Sequence, residues 1–500
     1  MFDQGRSPVI IGVGEICDRS EDPGAALTTP KLIAAAIRAA VQDTGRPEVI
    51  NFVDSIAIVD ALSRADRPAP LHPTIVAMLG ITPRSAVSSP SPSGNYPIRF
   101  LEDAANAIAA GTSELAIVAG GEAMRSFTRA RNADSNGTQV IREYRSAHQP
   151  DSLKRYGLIA PVEIYPLYEQ ATRHAWRQTL TEARAESGAI WEGNARIAAG
   201  NPYAWIRDQR SASTIVMPSC DNPMISFPYT RSMVANSAVN QGAALLVTSL
   251  MRARTLGLHE CRLAHIGYGA AADEASGTLD RADYIHLPAM EAVLDQTLAR
   301  NGITAGELEH VELYSCFPCV PKMARRAIGW PLEKPHSIYG GLTFGGGPIG
   351  NCMTHAVAAL VRRIREGSRN GLIFANGGFA TRNHAIVLTE RAPDQGREAR
   401  DYDVQSYADR LRGPIPYLID DYRGPGEIES YTVPFSKNEP RHATIIGRTP
   451  DGARFLARVP ASDASTLNWL MSDDHAVIGA PGHAVASEDG LVHWRAAATL

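Results

Sequence analysis

The sequence predicts an α/β protein, and three observations carry that reading. Strands and amphipathic helices alternate over most of the 500 residues. The alternation runs through twice, around 8–124 and again around 262–378. Past about residue 389 the composition shifts toward short alternating strands. Residues 8–16 (PVIIGVGEI) read as a buried strand, because a β-branched run is closed by glycines. Residues 31–43 form an amphipathic helix stopped by Thr44-Gly45. A strand over 53–61, a helix over 97–111 and a strand over 115–124 follow. Strands alternating with helices imply a mostly parallel sheet covered on both faces.

Residues 125–215 break the rhythm with Arg, Asn, Tyr and Trp and no clear strand. An insertion lying over a site has this character, and so does a plain helical excursion. The rhythm returns at 242–250, 291–302, 310–316, 354–366 and 371–378, the first, third and last as strands. A charged, Pro- and Gly-bearing linker starts near 391. Beyond it, runs such as HATIIGR and ARFLARV separated by turn signals predict a small β-barrel or β-sheet module. The expected division is 1–262 for one half with an insertion at about 125–230, 263–392 for the second, and 405–500 for a separable β domain.

Composition narrows the function classes. A 44% hydrophobic chain can build a sizeable core, and 49 basic against 53 acidic residues give no basic surface for nucleic acid or a membrane. No run approaches the ~18 apolar residues of a membrane span, and the N-terminus lacks a secretory pattern. A cytoplasmic protein is expected. Six cysteines do not make a disulfide framework. Cys316 and Cys319 form a CxxC, but no second pair accompanies them, so no metal is expected.

Several segments together resemble the thiolase superfamily: LAIVAGGEAM (115–124), ANSAVNQGAALLVTS (235–249), VELYSCF (311–317), GGLTFGGGPIGN (340–351) and ANGGF (375–379). YSCFP, GGP, THA, NGG and the β-like tail resemble thiolase-like proteins type 1 in particular. The resemblance implies a thiolase fold: two similar βα halves in five layers, with the site between them and an OB-like barrel appended. It also implies coenzyme A or an acyl-CoA as substrate or ligand, no covalent cofactor, and a monomer or homodimer.

The departures bear on mechanism. Where thiolases carry Cys-x-Ser-Gly, this chain has SPSG, with Ser91 at the thiol's position. Gly347 replaces the histidine of Gly-His-Pro, and Ala375 or Asn376 stands near the second cysteine. Serine ionises too poorly to attack without an adjacent base, so Ser91 reads as a turn residue or as a nucleophile missing its base. Cys316 matches the cysteine of the sterol-carrier-type motif, which implies acid–base or nucleophilic work; a small buried thiol is the alternative. Tyr314 replaces that motif's histidine and could donate to an oxyanion or act as a base. His355, early in a helix after the GGPIGN loop, and His384, after the NGG loop, are the candidate bases. Asn376, Gly377, Gly378, Gly346 and Gly347 could supply donors to a thioester oxygen. Lys322, Arg325 and Arg326 recur at helical spacing and read as a solvated face or a contact for a CoA phosphate. The resemblance implies first a CoA-dependent acyltransferase acting on a β-keto acyl or acyl-CoA substrate by Claisen or retro-Claisen chemistry without the usual nucleophilic cysteine; the alternatives are a retro-aldol lyase on a CoA ester and a non-catalytic CoA or acyl-CoA binder.

Overall fold

The computed structural model describes residues 4–64, 68–131, 137–392 and 397–497. Its strands are β1 Pro8–Cys17, β2 Ser55–Val59, β3 Ser85–Ser88, β4 Leu115–Ala123, β5 Met224–Phe227, β6 Tyr229–Thr230, β7 Asn240–Ser249, β8 Ala264–Asp273, β9 His310–Glu312, β10 Asn370–Gly377 and β11 Arg382–Thr389. The barrel region adds β12 Gly424–Ser436, β13 Glu439–Pro440, β14 His442–Arg448, β15 Arg454–Pro460, β16 Pro481–Ala486 and β17 Val492–Ala496.

Nine strands form one sheet in the order β3-β2-β4-β7-β1-β8-β11-β10-β9. Read outward from the β1–β8 seam, each half repeats the same pattern: two antiparallel pairings, then a parallel one. The repeat seen in the sequence is thus a structural repeat. At the seam between the halves, β1 and β8 align at two pairs, Val9 with His265 and Ile10 with Ala264.

The sheet is less parallel than expected, with three of its eight pairings parallel. β10 and β11 are joined by a tight turn rather than a helix, and a short connection reverses the chain. The strand expected over 310–316 also stops early, at Glu312, because Tyr314 sits in the left-handed region at φ 52° and cannot continue a ladder.

The helices Thr29–Asp43 and Tyr96–Ala109 bury apolar stripes against the sheet, Leu32, Ile33, Ala36, Ile37 and Ala40 in the first. Among the described residues no helix is long and apolar enough to cross a membrane.

β12 pairs with both β14 and β16, β14 with β15, β15 with β17 and β17 with β16, which closes a five-stranded barrel. The helix Ala464–Leu470 lies between β15 and β16. The barrel is welded to the rest. β12 continues into the insertion by pairing with β5, Val433 opposite Phe227. Ser430 Oγ donates to Leu167 O (2.6 Å), and Arg454 Nη1 donates to Arg281 O (2.9 Å). Residues 393–396 of the expected linker lie outside the described ones. The part that follows is pinned: buried Arg397 pairs with Glu102, and Val404 N donates to Ala271 O at 2.9 Å.

Lys322, Arg325 and Arg326 do not form a solvated face. Lys322 is fully buried, its Nζ 2.6 Å from Glu169 Oε1 and 2.9 Å from Ala183 O. Arg325 and Arg326 both hold Glu186. These cations fasten the insertion helices Pro161–Ala175 and Leu180–Gly200 to the second half.

Because removing one member of a buried pair strands the other charge, Lys322→Ala should cost about 3–5 kcal/mol in urea unfolding. Lys322→Met combined with Glu169→Leu should recover most of that loss. A single substitution costing under about 1 kcal/mol would contradict the assigned role.

Candidate active site

Tyr314 organises the centre between the halves. Its left-handed backbone is closed by a tight turn in which Cys316 N donates to Tyr314 O at 3.0 Å. The turn throws the phenol across the molecule to the SPSG segment of the first half. There the hydroxyl lies so close to Gly94 that a Cβ on that glycine would stand 2.0 Å from it and 2.4 Å from Asn376 O. Gly94 is required because no side chain fits beneath the phenol.

Thiols flank this hydroxyl. Cys352, first residue of the helix Cys352–Arg365, has the Tyr314 phenol as its polar neighbour, and Cys316 has that of Tyr165. Burial pushes both thiols up to about 12, so both are protonated at neutral pH. Burial likewise holds the Tyr314 phenol well above its ordinary range. Tyr165, from the insertion helix Pro161–Ala175, stacks on Phe317 at 4.5 Å and reaches Asn376 Oδ1 at 3.5 Å. The insertion therefore supplies part of the site's wall.

The loop donors divide. Asn376 is fully buried and its Nδ2 has no partner among the described residues, which leaves a donor at the centre. Gly347 N is already committed to Asn236 O at 2.9 Å. Gly346, at φ 109°, packs against Gln241, and a Cβ there would stand 2.0 Å from Gln241 Oε1. Gly377 admits Ser93 Oγ, and Gly378 takes the left-handed conformation at φ 68°. Ser91 is half-buried, and its carbonyl accepts from Ser89 Oγ at 2.9 Å.

The two histidines lie away from the phenol–thiol group. His355, one turn along the helix from Cys352, directs Nδ1 at Glu15 Oε1 (2.6 Å) on β1, and its Nε2 has no partner. Arg362 holds the other Glu15 oxygen. Desolvation works to raise the Glu15 carboxyl, but His355 and Arg362 together outweigh it and hold it below its ordinary value. His384 pairs with Ala375 and Asn383 with Asn376, so strand alternation puts His384 and Asn376 on opposite faces. Its ring lies 4.8 Å from Tyr402, and burial, then Arg99 and Arg300, push it down to about 3.

Below Tyr314, Glu312 is fully buried, accepting from Ser337 Oγ (2.6 Å) and Ile338 N (3.1 Å). Burial pushes it up to about 8, so it is largely protonated at pH 7. Sequence reasoning passed over Glu312, Tyr165, Ser93, Gly94 and Cys352. The last three adjoin loops it did single out; Tyr165 carries no motif. A cleft of about 260 Å³, lined by Glu274, Arg281, His286, Leu287 and Arg412 among others, lies beside the barrel junction. None of the candidate site residues lines it, and the unpartnered donor at the centre marks the better site.

Alkylation at pH 7.5 followed by peptide mass spectrometry should label exposed Cys220 and Cys261 quickly and leave Cys316, Cys319 and Cys352 unlabelled in the native protein. Fast labelling of Cys316 would show a thiolate this geometry does not provide. Stability also has a signature. A carboxyl raised from 4.5 to about 8 binds a proton in the folded state that the unfolded chain has lost, so its contribution falls as pH rises through that window. Glu312→Gln should therefore gain on the native protein by a few kcal/mol between pH 5 and pH 8 in denaturant titrations. An unchanged difference across that range would refute a neutral Glu312.

Comparison with known proteins bears on the fold. Residues 403–489 match the family model for the thiolase-like protein type 1 additional C-terminal domain. Over 99% of this chain and 100% of the other, the structure is similar to a monomeric SCP2-thiolase like protein type 1 from Mycobacterium smegmatis, with TM-score 0.82 and 27% identity. The Ltp2-ChsH2(DUF35) aldolase shares the fold over 77% of this chain and 98% of its own, with TM-score 0.59 and 20% identity. Human mitochondrial 3-ketoacyl-CoA thiolase in complex with CoA does so over 78% and 100%, with TM-score 0.57 and 13% identity. None of the curated proteins compared by sequence matches. The chain thus joins a thiolase fold to the additional C-terminal domain of thiolase-like proteins type 1, which it resembles along nearly its whole length.

Proposed function

We propose that this protein is an enzyme that binds a CoA thioester between its halves and breaks a carbon–carbon bond of the retro-aldol type. The observation that carries the reading is the Tyr314 hydroxyl, seated against Gly94 of the segment where the thiolase resemblance places a nucleophilic cysteine. Binding of CoA is supported by the fold shared with a thiolase solved with CoA. A lyase is supported by the fold shared with an aldolase and by the neutral character of the centre.

In such a cleavage the β-hydroxyl loses its proton as its carbon becomes a carbonyl, and the Cα–Cβ electron pair passes to the thioester enolate. Asn376 Nδ2 is a free donor for the developing oxyanion. As the Cα–Cβ bond breaks, Tyr314 passes its phenolic proton to Cα and takes the β-hydroxyl proton in the same step, so the phenol is neutral before and after. A high pKa suits that role, because the acid must stay protonated until the enolate forms.

Acyl transfer through Cys316 is the second reading, favoured by a thiol beside the same phenol. It needs a thiolate, and the side chain that eases the Cys316 thiol against burial is Tyr165, a phenol itself held neutral by burial.

The variants separate the readings. With a β-hydroxyacyl-CoA panel and product mass spectrometry, Tyr314→Phe should lower turnover by about 100-fold or more while Cys316→Ala and Ser91→Ala keep most of it. Loss in Cys316→Ala with Tyr314→Phe active, on β-ketoacyl-CoA and CoA, would give the acyltransferase. No turnover by folded native protein on either panel would leave an acyl-CoA binder.

A further inference from the structure

The insertion brings a cation to this site that none of the structure's own groups uses. Arg145 lies on the helix Gly137–Ser146, half-buried, with its guanidinium 5.1 Å from the ring of Phe379. Phe379 ends the Asn376–Gly378 loop, and its carbonyl accepts from Tyr168 of the other insertion helix at 3.0 Å. One turn earlier, Arg142 is consumed by buried Glu163. Arg145 has ring contacts only, with Phe379 and Tyr144, and no hydrogen bond or ion pair among the described residues. A ring face contributes about 0.5–1 kcal/mol to a cation and satisfies none of its five N–H donors.

A second observation points to a ligand at the same place. Three residues before Phe379, the fully buried Asn376 side chain has an unpartnered Nδ2. Asn376 and Phe379 belong to one loop, so a ligand group held at Asn376 has the Arg145 guanidinium close by. The Arg145 charge also reaches the Tyr314 phenol, where it opposes the effect of burial. An anionic substituent of a ligand at this centre would therefore have a guanidinium to meet.

We propose that Arg145 recognises a carboxylate on the acyl group, so that the substrate class is CoA esters of dicarboxylic or otherwise carboxyl-ended acids. The inference rests on the CoA-thioester reading above. A planar guanidinium can hold a carboxylate through two parallel N–H donors, and Lys would not reproduce that fork.

Calorimetry on the full chain tests it with free CoA, acetyl-CoA, succinyl- to suberyl-CoA, and the terminal methyl esters of the same dicarboxylyl thioesters. At one chain length or more, the acid should bind about tenfold or more tighter than its ester. Arg145→Gln should erase that ratio, Arg145→Lys should restore only part of it, and both should leave acetyl-CoA affinity and thermal stability unchanged. Acetyl-CoA binding with no preference for the acids would overturn this inference and leave the thioester reading standing. Equal weakening of free CoA and every ester in Arg145→Gln would assign the residue to a CoA phosphate and overturn it as well. If native protein bound no CoA compound at all, the thioester reading would fall and this inference with it.

Discussion

The buried contact between Lys322 and Glu169 is the constraint on which the candidate site depends. Glu169 belongs to the insertion helix Pro161–Ala175, whose residues from Glu163 to Arg173 are all buried. One side of that helix meets Phe317 and the Asn376 loop through Tyr165; another meets the barrel through Leu167 and Gln170. Such a helix has no solvent face, so its placement must be fixed by directional partners. Lys322 provides one, and Tyr229 completes the set by donating to the second Glu169 oxygen at 2.9 Å. The barrel lies over the outside of the helix, and its part in the site is indirect. It keeps the insertion against the halves.

That enclosure sets the chemistry. Tyr314, Cys316, Cys352 and Asn376 are all buried. A medium of low polarity disfavours every ionised form that lacks a partner. The charged groups nearby obey this rule: Glu15 has His355 and Arg362, and Glu312, which has no cation, takes up a proton instead. Ordinary thiolase chemistry needs a thiolate, which would demand a cation or a hydrogen-bonded base beside the sulfur. Here the thiols have phenols for neighbours. The centre can hold and move protons and can stabilise an anion that forms on a substrate, but it holds no anion of its own.

Much of this was legible in the sequence. The strand–helix rhythm, its repetition and the change at the linker gave the two halves and the barrel, because burial patterns with periods of 2 and 3.6 are local properties. The ordered Gly-rich loops located the centre. What failed was long-range. The sheet's antiparallel character came from the pairings of β1, β7, β8 and β11 with distant strands as well as from the β10–β11 hairpin, and the face occupied by His384 turned on that hairpin's register. Lys322 looked like a surface residue because its partner lies 153 positions away. Tyr165 was invisible for the same reason, since nothing around it in the chain announces which loop it will meet. The strand expected to end at Cys316 stopped at Glu312 because Tyr314 takes a conformation that tyrosine seldom adopts. Local preference yielded there to the position of one hydroxyl, and such strain is commonly found at functional sites.

The missing thiolase groups have not left a thiolase-shaped hollow behind. Where the resemblance expects a histidine, Gly347 donates its amide to Asn236, and a Cβ added there would stand 3.2 Å from both Asn236 O and Leu342 O. Where it expects a nucleophilic thiol, the SPSG turn is folded on itself through Ser89 and packed under the Tyr314 phenol. Close packing transmits each such change to its neighbours, so three losses and one gained phenol amount to a different packing solution on the same sheet. The fold supplies the junction of the halves and the loops that line it. The reaction must be read from Tyr314, Asn376 and the groups the insertion lays over them.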